Sequence, residues 1–276
     1  MSPASLLAPI RGLVLDMDGV LWRGARALPG LNALFAISEA RGIELVLATN
    51  NSSRRPEDHA ARLAGMGQRL PPERILTSST VTAARLARDH AAGASVYVLG
   101  GEGLRQALLD AGLRLLDGPP GPPDPSPAAD VVAVGIDFEI SYPRLAAAAL
   151  HLQRGARFVG TNGDPAFPAE AGLLPGAGAF IAALETATGR RAERMGKPEP
   201  PIFAAALERL ALPASAVAMV GDRLDTDIAG ANRAGMLSIL VQSGVTPAGD
   251  LPPDAPRPDL ILAGIDALAE LLARLP

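Results

Sequence analysis

The chain has 276 residues, 48 % of them hydrophobic and 20 % charged, with a formal net charge of −4. This suits one or two globular domains whose core is built from Ala, Leu, Val and Ile, since aromatics make up only 3 %. The absence of cysteine excludes disulfides and thiolate metal sites, the slight acidity gives nucleic-acid binding no support, and no apolar run is long enough to span a bilayer. The start of the chain also lacks the charged and apolar regions of a signal peptide, so a cytoplasmic protein is the expectation.

Taken in order, short apolar runs read as buried parallel strands at Leu13 to Leu15, Glu44 to Ala48, Val96 to Leu99, Val131 to Val134, Arg157 to Val159, Val217 to Val220 and Leu237 to Val241. Helical patterns alternate with them, which predicts an α/β fold around a parallel sheet. Pro56-Glu57 opens a helix toward Gly65, and Ser141-Tyr142-Pro143 precedes an alanine-rich one ending near Gly155. Pro200 and Pro201 open another, and Gly235 closes one that begins near Asp225. Gly100-Gly101-Glu102-Gly103 lacks the G-x-G-x-x-G spacing and reads as a turn. The proline-rich stretch Gly118 to Pro127 reads as a surface connection, with a second at Leu251 to Pro258. His59, His90 and His151 have no partner motif and read as solvated.

Three of the strands run into polar clusters: Asp16-Met17-Asp18-Gly19-Val20, Thr49-Asn50-Asn51-Ser52-Ser53, and Gly221-Asp222-Arg223-Leu224-Asp225-Thr226-Asp227. Ligands of open α/β sheets bind beyond the carboxyl ends of the strands, so the three clusters are expected on one edge. A fourth element is Met195-Gly196-Lys197-Pro198, which holds the only lysine against 24 arginines. A compact ammonium fits where the planar guanidinium fork does not. Crowded carboxylates need a cation, and oxygen ligands without His or Cys suggest Mg²⁺. A lysine, a threonine, asparagine amides and free backbone N–H groups suit phosphate. Together they describe phosphoryl transfer to an aspartate.

Each motif also has a plain structural explanation. Asp-x-Asp-Gly is common in turns and calcium loops, Gly-Asp after a strand is often a helix cap, and Thr49-Asn50-Asn51 would serve as one. Val20-Leu21-Trp22 argues against a calcium loop, because more oxygen ligands would be required there. The ordered conjunction of four motifs is what singles out this chain.

These motifs, with the strings VLATNNSSR, VYVLGGEGLRQAL, TNGDP, MGKPEP and MVGDRLDTDI, resemble the haloacid dehalogenase-like (HAD) superfamily. The likeness runs from about Gly12 to Val245. It is to the subfamily IIA branch with a C2-type cap, which includes phosphoglycolate, pyridoxal-phosphate and 4-nitrophenyl-phosphate phosphatases. The resemblance implies a Rossmann-like parallel-sheet core from residues 1–81 and 187–276, and an inserted α/β cap at 82–186. It implies a Mg²⁺-dependent phosphatase of small phosphorylated metabolites. In that mechanism Asp16 is the nucleophile, and Asp18 protonates the leaving oxygen and then activates water. Asp16, Asp222 and the Asp18 backbone carbonyl would hold Mg²⁺, with Asp227 acting through water; Asp225 competes for that last place. Thr49, Asn50, Asn51 and Lys197 would hold phosphate oxygens. Asp at position 18 favours a phosphatase over a dehalogenase, which has no alkoxide to protonate. The TNGDP loop offers Asp164 as a substrate contact or as an ordinary Asp-Pro turn. Ile136 and Phe167 stand where pyridoxal phosphatases tend to carry polar aromatics and a histidine, which argues against that substrate. The branch also makes a homodimer through the cap one assembly to expect.

Other readings differ in class. A phosphotransferase would pass the phosphoryl group from Asp16 to an alcohol instead of water. A phospho-aspartate signalling receiver is disfavoured by Asp18 and by the long insertion. A silent metabolite binder is disfavoured because every catalytic position is filled.

Overall fold

The computed structural model describes residues 2–116, 126–169, 172–246, 249 and 251–276. The chain forms two compact units. One comprises Met1–Thr49, Pro56–Leu76 and Lys197–Pro276, the other Asn50–Arg55 and Thr77–Gly196. The second unit therefore extends beyond 82–186 at both ends and also takes in the short segment after Thr49.

The first unit is built on a six-stranded sheet. Its order is Leu260–Leu262, Leu237–Val241, Val217–Gly221, Gly12–Leu15, Glu44–Thr49 and Ile75–Thr77. The five strands from Leu260–Leu262 to Glu44–Thr49 pair in parallel. Gly12–Leu15 and Val217–Gly221 are buried throughout, which is why they read as continuous apolar runs rather than alternating ones. Leu13, Leu15, Leu47, Val220 and Ile239 join Trp22, Leu34 and Leu268 in one core cluster. Leu15 lies opposite both Val220 and Leu47. That register brings Asp16, Thr49 and Asp222 out at one edge of the sheet.

Helix Pro56–Gly65 starts at a proline and buries His59 and Leu63. Helix Pro200–Leu210 buries Ile202, Phe203, Ala206 and Leu210, an apolar stripe at helical spacing. After Val217–Gly221 the chain enters one π-helical turn, Leu224–Ile228, before helix Ala229–Ala234. Gly235 closes that helix in the left-handed region at φ 70°.

The second unit repeats the architecture with five parallel strands in the order Glu193–Arg194, Arg157–Gly160, Val131–Val134, Ser95–Leu99, Arg114–Leu116. Tyr97, Leu99, Val132, Val134, Phe158 and Ile181 belong to its core. A separate hairpin pairs Ala166–Ala169 with Gly172–Pro175.

Three sequence expectations change. Gly100-Gly101-Glu102-Gly103 is more than a turn: Gly101 caps helix Glu102–Asp110, whose first turn holds Glu102 and Gly103. A Cβ at Gly103 would lie 2.7 Å from the Ser52 carbonyl oxygen, so close backbone approach explains that glycine. His59 and His151 are buried rather than solvated. The His151 ring accepts from the Ala129 N–H at 3.2 Å and packs 4.8 Å from Tyr97, partners that offset the cost of its burial. The stretch Gly118 to Pro127 lies outside the described residues except for Ser126 and Pro127, and Leu251 to Pro258 carries no helix or strand. No helix among the described residues is long and apolar enough to cross a membrane.

Candidate active site

The carboxyl edge of the first unit's sheet gathers four ionisable side chains. The Lys197 ammonium lies 2.5 Å from Asp16 Oδ1 and 2.7 Å from Asp227 Oδ1. Asp16, Asp222 and Asp227 each offer an oxygen, and the three atoms lie within 4.8 Å of one another. All four residues are buried. Strand ends supply Asp16 and Asp222, the π-helical turn swings Asp227 inward, and the loop before Pro200–Leu210 delivers Lys197. A π-turn inside a helix is frequent at functional sites, because it re-aims a side chain that a regular turn would send elsewhere.

Three carboxylates against one ammonium leave excess negative charge in a buried place. Burial pushes the Asp16 carboxyl well above the usual range; Lys197 pulls against that rise, while Asp227 and Asp222 add to it. Burial and the neighbouring Asp227 push Asp222 up to about 6, with the Val245 N–H and Lys197 resisting. Burial opposes the charge on Lys197, yet Asp16 and Asp227 hold its ammonium well above the ordinary lysine value. It is a fixed cation, not a proton donor.

Asp222 shows what the cluster would accept. Its Oδ2 receives the Val245 N–H at 2.7 Å. Its Oδ1 is buried without a hydrogen-bond partner. An orphaned carboxylate oxygen costs free energy unless something positive meets it. With two further carboxylates beside it and no nitrogen or sulfur donor in the cluster, the chemistry fits a hard divalent cation such as Mg²⁺.

Sequence reasoning missed the residues that make room for Asp222. A Cβ on Gly244 would sit 1.8 Å from Asp222 Oδ2, and one on Gly19, at φ +87°, would sit 2.4 Å from the same atom. A Cβ on Gly221 would lie 2.2 Å from that of Asp227. The Ser243 hydroxyl ties the two sides together by donating to the Gly19 carbonyl at 2.7 Å.

The other predicted residues fall into distinct places. Asp18 is exposed and its carboxylate is not part of the three-acid cluster; Oδ1 instead accepts the Trp22 indole N–H at 2.9 Å. Asp225 also stays outside, paired with Arg223 at 2.8 Å. Thr49 is buried at the end of its strand. Asn50, Asn51 and Asp164 belong to the second unit. There the Asn50 amide donates to Asp164 Oδ2 at 2.8 Å, and Asn162 donates to the same oxygen at 2.7 Å. Asn51 Oδ1 accepts from the Ser53 N–H and hydroxyl at 3.0 and 2.7 Å, a local turn bond.

A family model described as haloacid dehalogenase-like hydrolase matches residues 13–114, and a related HAD-hydrolase-like model matches residues 194–270. An acid sugar phosphatase of Staphylococcus haemolyticus is 39 % identical over 236 residues, covering 86 % of each chain. The solved 4-nitrophenylphosphatase of Thermotoga maritima superposes with a TM-score of 0.88 at 31 % identity, over 96 % of this chain and 98 % of that one. A glycerol phosphate phosphatase of Mycobacterium tuberculosis, solved in complex with magnesium, gives a TM-score of 0.83 at 34 % identity, over 97 % of this chain and 79 % of that one.

Proposed function

This chain belongs to the haloacid dehalogenase-like hydrolases, and on that premise we propose that it is a Mg²⁺-dependent phosphatase of small phosphate monoesters working through an aspartyl-phosphate on Asp16. The observation that carries the proposal is the buried quartet in which Lys197 bridges Asp16 and Asp227 beside the orphaned oxygen of Asp222. The names of the relatives, acting on sugar, nitrophenyl and glycerol phosphates, favour a small substrate. Among these, sugar and polyol phosphates are the natural class to test first.

Asp16 attacks phosphorus, forming a new P–O bond while the bond to the leaving oxygen breaks. Asp18 gives that oxygen its proton, then takes one from the water that cleaves the acyl phosphate. Its exposure beside the buried cluster suits a group that must meet both an alcohol and water. Lys197 offsets the Asp16 charge so that an anionic phosphate can approach a carboxylate, and Asp227 holds the ammonium in place. Thr49 and Lys197 are assigned to phosphate oxygens. Asp16, Asp222 and the Asp18 backbone carbonyl would hold Mg²⁺, which when bound neutralises charge on the phosphoryl oxygens. Selection of the leaving group falls to the second unit, with Asp164 the first residue to vary.

The test is hydrolysis of 4-nitrophenyl phosphate with and without EDTA, followed by Mg²⁺ add-back. Turnover is expected to vanish with EDTA and return with Mg²⁺. Metal-independent turnover would overturn the proposal.

A further inference from the structure

Asp18 stands apart from the buried quartet, and its immediate surroundings are unusual for an exposed carboxylate. Trp22 is the only tryptophan in the chain and is completely buried. Its backbone is fixed on both sides, donating to the Met17 carbonyl at 3.2 Å and accepting from the Gly19 N–H at 2.7 Å. Trp22 also pairs with Ala27 in a short hairpin. Complete burial restrains the indole, and its one polar atom donates to Asp18 Oδ1 at 2.9 Å. Arg62, from helix Pro56–Gly65, covers the ring with its guanidinium carbon 4.6 Å from the centroid. Arg62 Nη1 lies 3.8 Å from the same Oδ1, and Nη2 donates to the Gly24 carbonyl in the turn of the hairpin.

We infer that Trp22 and Arg62 are positioning residues that reserve Asp18 Oδ2 as the atom exchanging the proton. An indole N–H only donates, so the oxygen facing it must accept. A hydroxyl oxygen accepts more weakly than a carbonyl oxygen, so when Asp18 carries a proton the indole favours placing it on Oδ2. The same clamp fixes the carboxyl rotation, so Oδ2 meets the leaving oxygen in the first half-reaction and water in the second. Arg62 keeps the ring pressed in place and adds positive charge on the Oδ1 side. The inference rests on the phosphatase reading in which Asp18 is acid and base.

Leaving-group dependence separates this role from plain stability. The quotient kcat/KM reports steps up to departure of the leaving group. A nitrophenolate departs without help from an acid, whereas the alkoxide of glycerol does not. Trp22→Phe keeps an aromatic ring in the core and deletes the donor. It should lower kcat/KM for glycerol 3-phosphate on the order of ten-fold, and that for 4-nitrophenyl phosphate by less than about two-fold. Arg62→Met should act in the same sense more weakly, and Asp18→Asn in the same sense more strongly. Equal losses on both substrates in Trp22→Phe and Arg62→Met, with Asp18→Asn still discriminating, would overturn the inference and leave the phosphatase reading standing. No discrimination by Asp18→Asn would remove the acid reading itself. If Trp22→Phe fails to fold, the native tryptophan supplies the measurement. Asp18→Ala should shift the Trp22 emission maximum while Asp18→Asn, which keeps an acceptor, should shift it less; an unchanged spectrum in Asp18→Ala overturns the inference.

Discussion

The two units share an architecture and differ at the edges of their sheets. Both have parallel strands whose apolar runs are buried. In the first unit those strands end in Asp16, Thr49 and Asp222, with Lys197 beside them. In the second they end in Gly100-Gly101, Gly135-Ile136 and Thr161-Asn162, which bear no charge. In the second unit opposite charges meet in pairs: buried Asp137 faces Arg144 at 2.8 Å, and Arg157 meets Asp89 at 2.7 Å and Glu193 at 2.5 Å in a more exposed network. A common scaffold thus supports an excess of buried carboxylates around one ammonium in one unit and pairs of opposite charge in the other. Chemistry follows the strand ends, not the fold.

Conservative exchange of a basic side chain should separate the two most sharply. Lys197→Arg is expected to lower kcat on the order of 10²- to 10³-fold, because the fork cannot occupy the ammonium's place between Asp16 and Asp227. Arg157→Lys, in the exposed network, should leave kcat within about two-fold, as surface pairs contribute little. Near-normal steady-state turnover in Lys197→Arg would erase the distinction.

Glycine substitutions give the next largest contrast. Gly244→Ala drives a Cβ into Asp222 Oδ2, so Mg²⁺ affinity measured calorimetrically should fall about ten- to a hundred-fold. Gly112→Ala in the second unit, at φ +77° with nothing within 4 Å, should cost only about 1 kcal/mol of stability and no metal affinity.

Titration offers a smaller effect with a definite sign. The Asp222 carboxyl is pushed up to about 6 in the fold, against 3.8 for the unperturbed group. Between those values the metal-free folded protein holds a proton that the unfolded chain has lost, so this group's contribution to stability falls as pH rises from about 4 to about 6. A cation competes with that proton, so Mg²⁺ affinity should climb over the same interval and level off above it. Thermal unfolding should then show a larger Mg²⁺-induced rise in Tm at pH 7.5 than at pH 5. A pH-independent rise would contradict the charge balance described for the site.

The smallest effect tests what the units have in common. Each carries the same clasp at or next to the start of one strand, in which a serine N–H and hydroxyl both donate to an aspartate just ahead of the neighbouring strand. Ser95 and Asp130 form it in the second unit, Ser238 and Asp259 in the first. Ser95→Ala and Ser238→Ala should each cost about 1 kcal/mol in denaturant unfolding, with kcat unchanged in both.

How much of this was legible in the sequence depends on the kind of group. The seven apolar runs that read as strands are strands, because buried parallel strands advertise themselves as unbroken hydrophobicity. The edge strands Ile75–Thr77 and Leu260–Leu262 escaped, being three residues long and, in the second case, preceded by a proline-rich stretch. Asp16, Lys197 and Asp222 were legible as candidates because ionisable groups at the ends of apolar runs, and a lone lysine, are conspicuous. Gly244 and Val245 were not, since they contribute empty space and one N–H. Nothing in the sequence singled out Trp22 and Arg62 as partners of Asp18, because the oxygen they share is reached only once the helix is folded beside the hairpin. The choice between Asp225 and Asp227 needed the π-helical turn, which no periodicity announces.

The central claim is that Asp16 carries the phosphoryl group. Acid quenching during turnover of a phosphate monoester, in Asp18→Asn to slow hydrolysis, followed by borohydride reduction and peptide mass spectrometry, addresses it directly. The account predicts conversion of Asp16 alone, dependent on Mg²⁺ and formed far more slowly when Lys197→Arg is added. An active enzyme that shows no modification at Asp16, or shows it at another residue, would contradict the account.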